Sequence, residues 1–295
     1  MISIVVCSRN TDISEILKQN IRITIGVEHE LIVIDNSQNK YSIFSAYNEG
    51  VRRAKYPYLC FMHEDIEFHT LDWGRKVMNH FHESNVGLIG VVGGHYLPDC
   101  PASWWSTECR SGEFIQTYDY LENSPSKKIK HSWTRYKRES DKAISVVAVD
   151  GLWFCISKSL FEKIKFDDIS FQGFHCYDLD ICMQIQQLKY DVRVVFDILI
   201  EHNSGGNHDL NLVLGREQFH RKWESLLPII KGINLTDYEI KDRCIMANDI
   251  HALNKDYLKA NEEIKRILNT KAYRFGKFFL RPLSFIQSKL RNYSV

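Results

Sequence analysis

The first residues, "ISIVV" (2–6), present apolar side chains to both faces, which predicts a strand buried within a sheet. A polar loop, "CSRNTD", follows, and then a helix is predicted around 14–20. "ELIVIDNS" (30–37) reads as a second buried strand ending on Asp35 and Asn36. Over "YSIFSAYNEGVRRAK" (41–55), Ile43, Ala46, Tyr47, Val51 and Ala54 recur on one side, the spacing of a helix packed on a core. "YLCFM" (58–62) is a third strand. Strand, helix and strand alternating at this pitch predict an α/β fold with right-handed crossovers and a mostly parallel sheet flanked by helices. In such sheets the ligand crevice lies beyond the carboxyl ends of the strands.

Further on, "VGLIGVVGG" (86–94) predicts a strand that ends in glycines. The segment 95–142 shows neither period; it is long, aromatic and irregular, and a connection of that length is commonly functional. Strand character returns over 144–161, broken by Asp150 and Gly151. "YDLDICMQIQQLKY" (177–190) is helical, and "DVRVVFDILIEHNSGG" (191–206) supplies a strand and a glycine-ended loop. Helices are predicted over 212–227 and 246–268, a C-terminal helical extension. The expected organisation is a body over 1–210, the extension over 211–270 and a tail over 271–295.

Composition narrows the picture. A hydrophobic share of 44% supports a real core, and a net charge of +1 argues against a general nucleic-acid binder. The eight cysteines include no C-x-x-C pair, so reduced buried thiols are expected rather than a zinc site. No secretory leader and no apolar run of the ~18–20 residues needed to cross a bilayer are evident, which points to the cytoplasm. The tail carries six Lys or Arg and no acid, interleaved with phenylalanines. That suits either a peripheral segment at the inner face of an anionic cell membrane or packing on the body.

The candidate chemistry sits at strand ends. After the third strand, "MHEDIEF" places His63, Glu64, Asp65 and Glu67 where the crevice should be. On an extended strand Asp65 and Glu67 would face one point, a hard-oxygen pair suited to Mg²⁺ or Mn²⁺, with Glu64 turned the other way; a solvated acidic turn is the plain alternative. Asp178 and Asp180 open a helix, where dipole stabilisation alone explains one of them and a general base would explain the other. His202 ends a buried strand; His63, His69, His95 and His208 are weaker candidates. Trp153 reads as core, whereas Trp104 and Trp105 could stack on a sugar ring.

In order, "IVVCSRN", "LIVIDNS", "SAYNEGVRRAK", "LCFMHEDIEF", "VDGLWFCISKSLF", "YDLDICMQI" and "EHNSGG" resemble a GT-A-fold glycosyltransferase. The likeness is to the large inverting family 2 that builds bacterial polysaccharides, and it covers most of 1–207. It implies a nucleotide-diphosphate sugar as donor, a glycan or lipid-linked acceptor and a Mn²⁺ or Mg²⁺ ion. His63–Asp65 takes the place of the family's D-x-D, with Asp65 as metal ligand, Glu67 as helper and His202 completing the metal site. His63 stands where the first Asp is usual. Ser8, Asp35, Asn48, Glu64 and Asp65 would line the nucleotide. Asp178 corresponds to the catalytic base of the E-D motif, whose Glu position holds Tyr177. Trp104, Trp105, Asp150, Gly151 and Asp180 fall on the acceptor and sugar side. The competing readings are a nucleotidyltransferase, for which "CSRNTD" lacks the Gly-rich phosphate loop, and a non-catalytic glycan- or nucleotide-binding module.

Overall fold

The structure is a computed structural model that describes residues 1–83, 85–119, 128–135, 141–204 and 209–270. The tail 271–295 and His208 therefore lie outside the described residues. The expected opening is present: β1 (Ile2–Ser8), α1 (Glu15–Thr24), β2 (His29–Asp35), α2 (Ile43–Arg53) and β3 (Tyr58–Met62). Serines start both helices. The Ser14 hydroxyl accepts from Leu17 N at 3.2 Å and that of Ser42 from Ser45 N at 3.2 Å, each satisfying a backbone donor the first turn leaves open.

Next come β4 (Ile66–Phe68), α3 (Trp73–Phe81), β5 (Val86–Gly90), β6 (Val92–Gly94) and β7 (Tyr96–Leu97). The helix α3 was not evident from the pattern, and the predicted strand 86–94 is two strands broken at Val91. The stretch expected to be irregular contains a long antiparallel hairpin, β8 (Arg110–Asp119) with β9 (Lys128–Arg135). Then follow β10 (Ala143–Ser145), β11 (Ala148–Val149), β12 (Trp153–Ser157), α4 (Tyr177–Gln187), β13 (Asp191–Val195) and β14 (Ile200–His202). The chain continues through α5 (Leu210–Trp223), β15 (Ile229–Ile230) and α6 (Asp237–Leu268).

The main sheet has the order β10-β13-β5-β12-β3-β1-β2. The β1–β2, β1–β3 and β13–β5 pairs are parallel, as the crossovers predict. The sheet is nonetheless mixed, because β12 runs antiparallel between β3 and β5, and β10 runs antiparallel to β13. That reversal matters for the site. Trp153 pairs with Met62, so the residues just before β12 emerge at the same edge as those just after β3. A second sheet, β11-β6-β8-β14-β4 with β9 on β8, stands beside it and carries His202 at the end of β14.

The core is aromatic around β3. Phe61 stacks on Phe154 at 5.2 Å and meets Tyr47 of α2 at 4.8 Å, all fully buried. Each such side chain contributes about 1.5–3 kcal/mol by leaving water. The chain divides into two compact units after His251, and the first of them takes in α5, whose Phe219 and Trp223 join the main core. The second unit, from Ala252, continues α6 to Leu268. Among the described residues no helix is long and apolar enough to cross a membrane.

Candidate active site

Six chain segments meet at the carboxyl edge of β1, β2 and β3. Ser8 ends β1 opposite Asp35 of β2 in the parallel register. His63, Glu64 and Asp65 follow β3 in a turn; Asp150 and Gly151 precede β12; Tyr177 and Asp178 open α4; His202 arrives on β14.

At the centre are His63, Asp65 and His202. His202 Nε2 is 3.5 Å from Asp65 Oδ1 and 3.5 Å from His63 Nδ1, and His63 Nδ1 is 3.9 Å from Asp65 Oδ1. Burial alone would raise the Asp65 carboxyl, but hydrogen bonding and charge from His202, then His63, outweigh it and hold the group below the usual carboxylate range. His63 shifts downward, first through burial and then through the neighbouring His202, so a neutral imidazole is favoured. Two imidazoles and a carboxylate converging within 4.8 Å are a donor set that fits a divalent cation. With nitrogen donors in the majority, the set is poorly matched to Mg²⁺, which prefers an all-oxygen shell.

The tautomer of His63 follows from its other neighbour. The Tyr177 hydroxyl donates its single proton to Gly151 O at 3.0 Å, so it can only accept from His63 Nε2, at 2.9 Å. Nε2 then carries the ring proton, and the Nδ1 lone pair is left facing Asp65 and His202. Gly151 is required here, since a Cβ at that position would come within 2.1 Å of the Tyr177 hydroxyl oxygen.

Asp178 lies behind this relay. Its Oδ2 accepts from Gly151 N at 3.0 Å and its Oδ1 from Leu179 N at 2.9 Å. Burial, reinforced by the charge of Asp150, pushes its pKa up to about 7. Asp150 is half-buried and is fixed by Leu152 N at 2.8 Å on its Oδ1. A carboxyl poised near neutrality among fixed dipoles is equipped to accept a proton.

Other expected residues are placed differently. Glu67 is not with Asp65. The chain turns at Glu64 and Asp65, so the two-residue strand spacing does not relate them, and Glu67 pairs across β4–β14 with Glu201. Neighbours on a strand face opposite ways, so Glu201 and His202 lie on opposite faces, and Glu67 shares the face of Glu201. There Glu201 accepts from His69 Nε2 at 2.9 Å, Thr117 Oγ1 at 2.7 Å and Lys130 Nζ at 2.5 Å, which ties the β8–β9 hairpin to β14. Glu64 bends toward the first loop, accepting from the Ser8 hydroxyl and from Arg9 N at 3.3 Å. Asn48 is committed to the backbone of Phe166, donating to its O at 2.8 Å and accepting from its N at 3.1 Å. Its amide thus serves the fold rather than a nucleotide.

Asp180 is wholly buried, bonded to Trp223 Nε1 at 2.9 Å, Gln184 Nε2 at 2.8 Å and Lys222 Nζ at 2.7 Å, which removes it from the acceptor side. Trp104 is core, and Trp105 is covered by the Arg216 guanidinium. His95 is buried between Ser111 Oγ at 2.7 Å and Lys231 O at 2.8 Å. Asp35 stays exposed, accepting from Ser37 N at 2.9 Å, beside a cavity of about 320 Å³ lined also by Lys40, Tyr41 and Arg53. A second cavity, of about 470 Å³ around Pro57 and Lys158, adjoins the Tyr58 end of β3, away from these residues.

The sequence reading missed the link between His63 and Tyr177 and the role of Glu201. A buried acid directly preceding a histidine in an apolar strand was the available signal for the second.

A family model described as "Glycosyltransferase like family" matches residues 3–209. No curated protein matches the chain. Among solved structures, GalNAc-T7 with UDP, GalNAc and Mn²⁺ is similar at 12% identity and a TM-score of 0.46, over 70% of this chain and 44% of that one. The crystal structure of A197 from STIV is similar at 13% identity and a TM-score of 0.37, over 68% of this chain and 84% of that one. This chain therefore spans less than half the length of the GalNAc-T7 chain.

Proposed function

The chain belongs to the glycosyltransferase-like family, and on that footing we propose that it moves a sugar from a nucleotide-diphosphate donor to an acceptor hydroxyl, inverting the anomeric centre. The observation that carries this reading is the Asp178 carboxyl. It is held by Gly151 N and Leu179 N, poised near pH 7, and coupled through Gly151 and Tyr177 to the His63, Asp65 and His202 donors.

In this reading Asp178 takes the proton of the acceptor hydroxyl as that oxygen bonds to the anomeric carbon. The bond from that carbon to the diphosphate oxygen breaks, and its electron pair leaves with the diphosphate. His63 Nδ1, Asp65 Oδ1 and His202 Nε2 would hold a divalent cation, and Mn²⁺ is the ion proposed for test. Such an ion, when bound, neutralises the charge that develops on the leaving diphosphate. The hydrogen bonds of Gly151 fix both the base and the tyrosine that orients His63, so one glycine serves both halves of the reaction. Asp35 and its neighbouring cavity are the proposed site of the nucleoside, and a glycan or lipid-linked glycan is the proposed acceptor.

The test is transfer from a panel of nucleotide sugars in the presence of Mn²⁺, with the product's anomeric configuration read by NMR. Asp178→Asn is expected to lose about 10²–10⁴-fold in transfer while nucleotide-sugar binding persists. Full transfer by that variant, or a retained configuration in the product, would overturn the reading.

A further inference from the structure

Arg216 lies in the middle of α5, beyond the last residue matched by the family, and is only 3% exposed. Its Nε donates to Ser103 Oγ at 2.7 Å, and its guanidinium carbon stands 5.1 Å from the centre of the Trp105 ring. A Cβ added at the adjacent Gly215 would come to 3.4 Å from Cys176 Sγ. This stretch of α5 therefore abuts Cys176, the residue just before α4 and two positions before Asp178.

Those contacts use one of the five N–H donors of the guanidinium. Among the described residues no carboxylate pairs with Arg216, and its two terminal nitrogens have no hydrogen-bond partner although they keep contact with solvent. Other buried charges are handled otherwise: Asp180 has Lys222, Glu201 has Lys130 and Asp191 has Arg193. A cation buried without an anion is costly, and one braced by a hydroxyl and an aromatic face is pre-oriented as well.

We propose that the Arg216 guanidinium, anchored by Ser103 and Trp105, binds a phosphoryl group of a substrate. The free edge of a guanidinium matches two phosphoryl oxygens at once, which a lysine cannot reproduce. The choice of a phosphoryl group rests on the glycosyl-transfer reading, in which the donor carries a diphosphate and a lipid-linked acceptor would carry a phosphoryl group too. Trp105 then serves as the support of the arginine, not as a platform for a sugar ring.

The experiment is a metal-free titration of the full chain with inorganic pyrophosphate, followed by calorimetry and by thermal shift. The wild-type protein is expected to bind, Arg216→Gln to lose at least about tenfold in affinity, and Arg216→Lys to fall between them. Arg216→Gln removes an unpaired buried charge and is expected to fold; the lysine variant keeps the charge should it not. Failure of the wild-type protein to bind pyrophosphate overturns the proposal, as does unchanged affinity in a cooperatively melting Arg216→Gln. Saturating nucleoside diphosphate, also without metal, then identifies the source. Competition assigns Arg216 to the donor diphosphate, and simultaneous binding assigns it to a phosphoryl group of the acceptor. Asp178→Asn, titrated alongside, is expected to keep its pyrophosphate affinity, so this result stands apart from the identity of the base.

Discussion

The Tyr177 hydroxyl and His63 Nε2 are 2.9 Å apart, and the direction of that hydrogen bond is fixed by the hydroxyl's donation to Gly151 O. In the family pattern both positions are acids, and here both have changed. Because the two side chains touch, the changes form one unit. A neutral tyrosine in place of a glutamate accepts the proton of a neutral histidine in place of an aspartate, and no buried charge is left unpaired. The departures at His63 and Tyr177 are therefore compatible with the proposed reading, since they leave the His63, Asp65 and His202 donors in place.

Tyr177→Phe removes the acceptor of His63 Nε2–H and frees the ring to turn. Manganese affinity, followed by the EPR signal of free Mn²⁺, is expected to fall about 10–100-fold, the usual cost of losing a group that orients a ligand. Gly151→Ala should do the same by steric displacement of the hydroxyl. Unchanged affinity in Tyr177→Phe would show that the tyrosine does not position the histidine.

Asp178 makes opposite predictions for stability and for activity. Its pKa in the folded chain, about 7, is above the ordinary 3.8, so the folded state holds this proton more tightly than the unfolded state. The contribution to stability is fully present below about pH 4, is lost as pH rises to about 7 and is flat above, for a total of up to about 4 kcal/mol. Asp178→Asn should thus be more stable than wild type at pH 8 and lose that advantage at pH 4, in urea melts at both values. In the proposed mechanism transfer needs the carboxylate, so wild-type kcat/KM is expected to climb through pH 7 from the acid side. The variant should lose about 10²–10⁴-fold.

The strand ends were legible because period and chemistry coincide there. An apolar run such as "YLCFM" that stops at His63 and Asp65 locates both the sheet and the edge where the candidate site gathers. The α3 helix was missed since "WGRKVMNHF" packs only Trp73, Gly74, Val77 and His80, too short a stripe to separate from a loop. The β8–β9 hairpin eluded the pattern because its two strands lean on each other and leave Phe114 and Trp133 only half-buried. Asn48 and Asp180 sit at positions where chemistry and fold use the same atoms. Only the backbone of Phe166 and the side chains of Lys222 and Trp223, distant in sequence, decide between them.

Lys222 is the counterion of a carboxylate with no exposure at all, standing 2.7 Å from Asp180 and 2.7 Å from Asp167. Lys222→Met would leave Asp180 with only the donors of Trp223 and Gln184. An expected loss of about 3–5 kcal/mol in urea unfolding follows from stranding a buried charge. Mn²⁺ affinity of the folded variant should stay at the wild-type level, since neither partner belongs to the His63, Asp65 and His202 set. A stable variant with weakened metal binding would instead tie this pair to the site.

Glu67 and Asp65 lie two residues apart and are expected to behave as unrelated positions. Asp65 is the only carboxylate of its donor cluster, whereas Glu67 belongs to the group with His69 and Glu201. Asp65→Ala removes one of three donors and should cut Mn²⁺ affinity beyond detection in the EPR titration. Glu67→Ala should leave the affinity of the His63, Asp65 and His202 set within about twofold, because Glu67 lends that set no ligand. The metal preference comes from the same donor set: two imidazole nitrogens replace oxygens that Mg²⁺ would require, so Mn²⁺ should bind more tightly than Mg²⁺ to the wild-type protein. His63→Asp, which restores an oxygen donor, should narrow that gap. Equal effects of the two alanine variants would place the ion between the clusters, and a Mg²⁺ preference in the wild-type protein would remove His63 from the coordination shell.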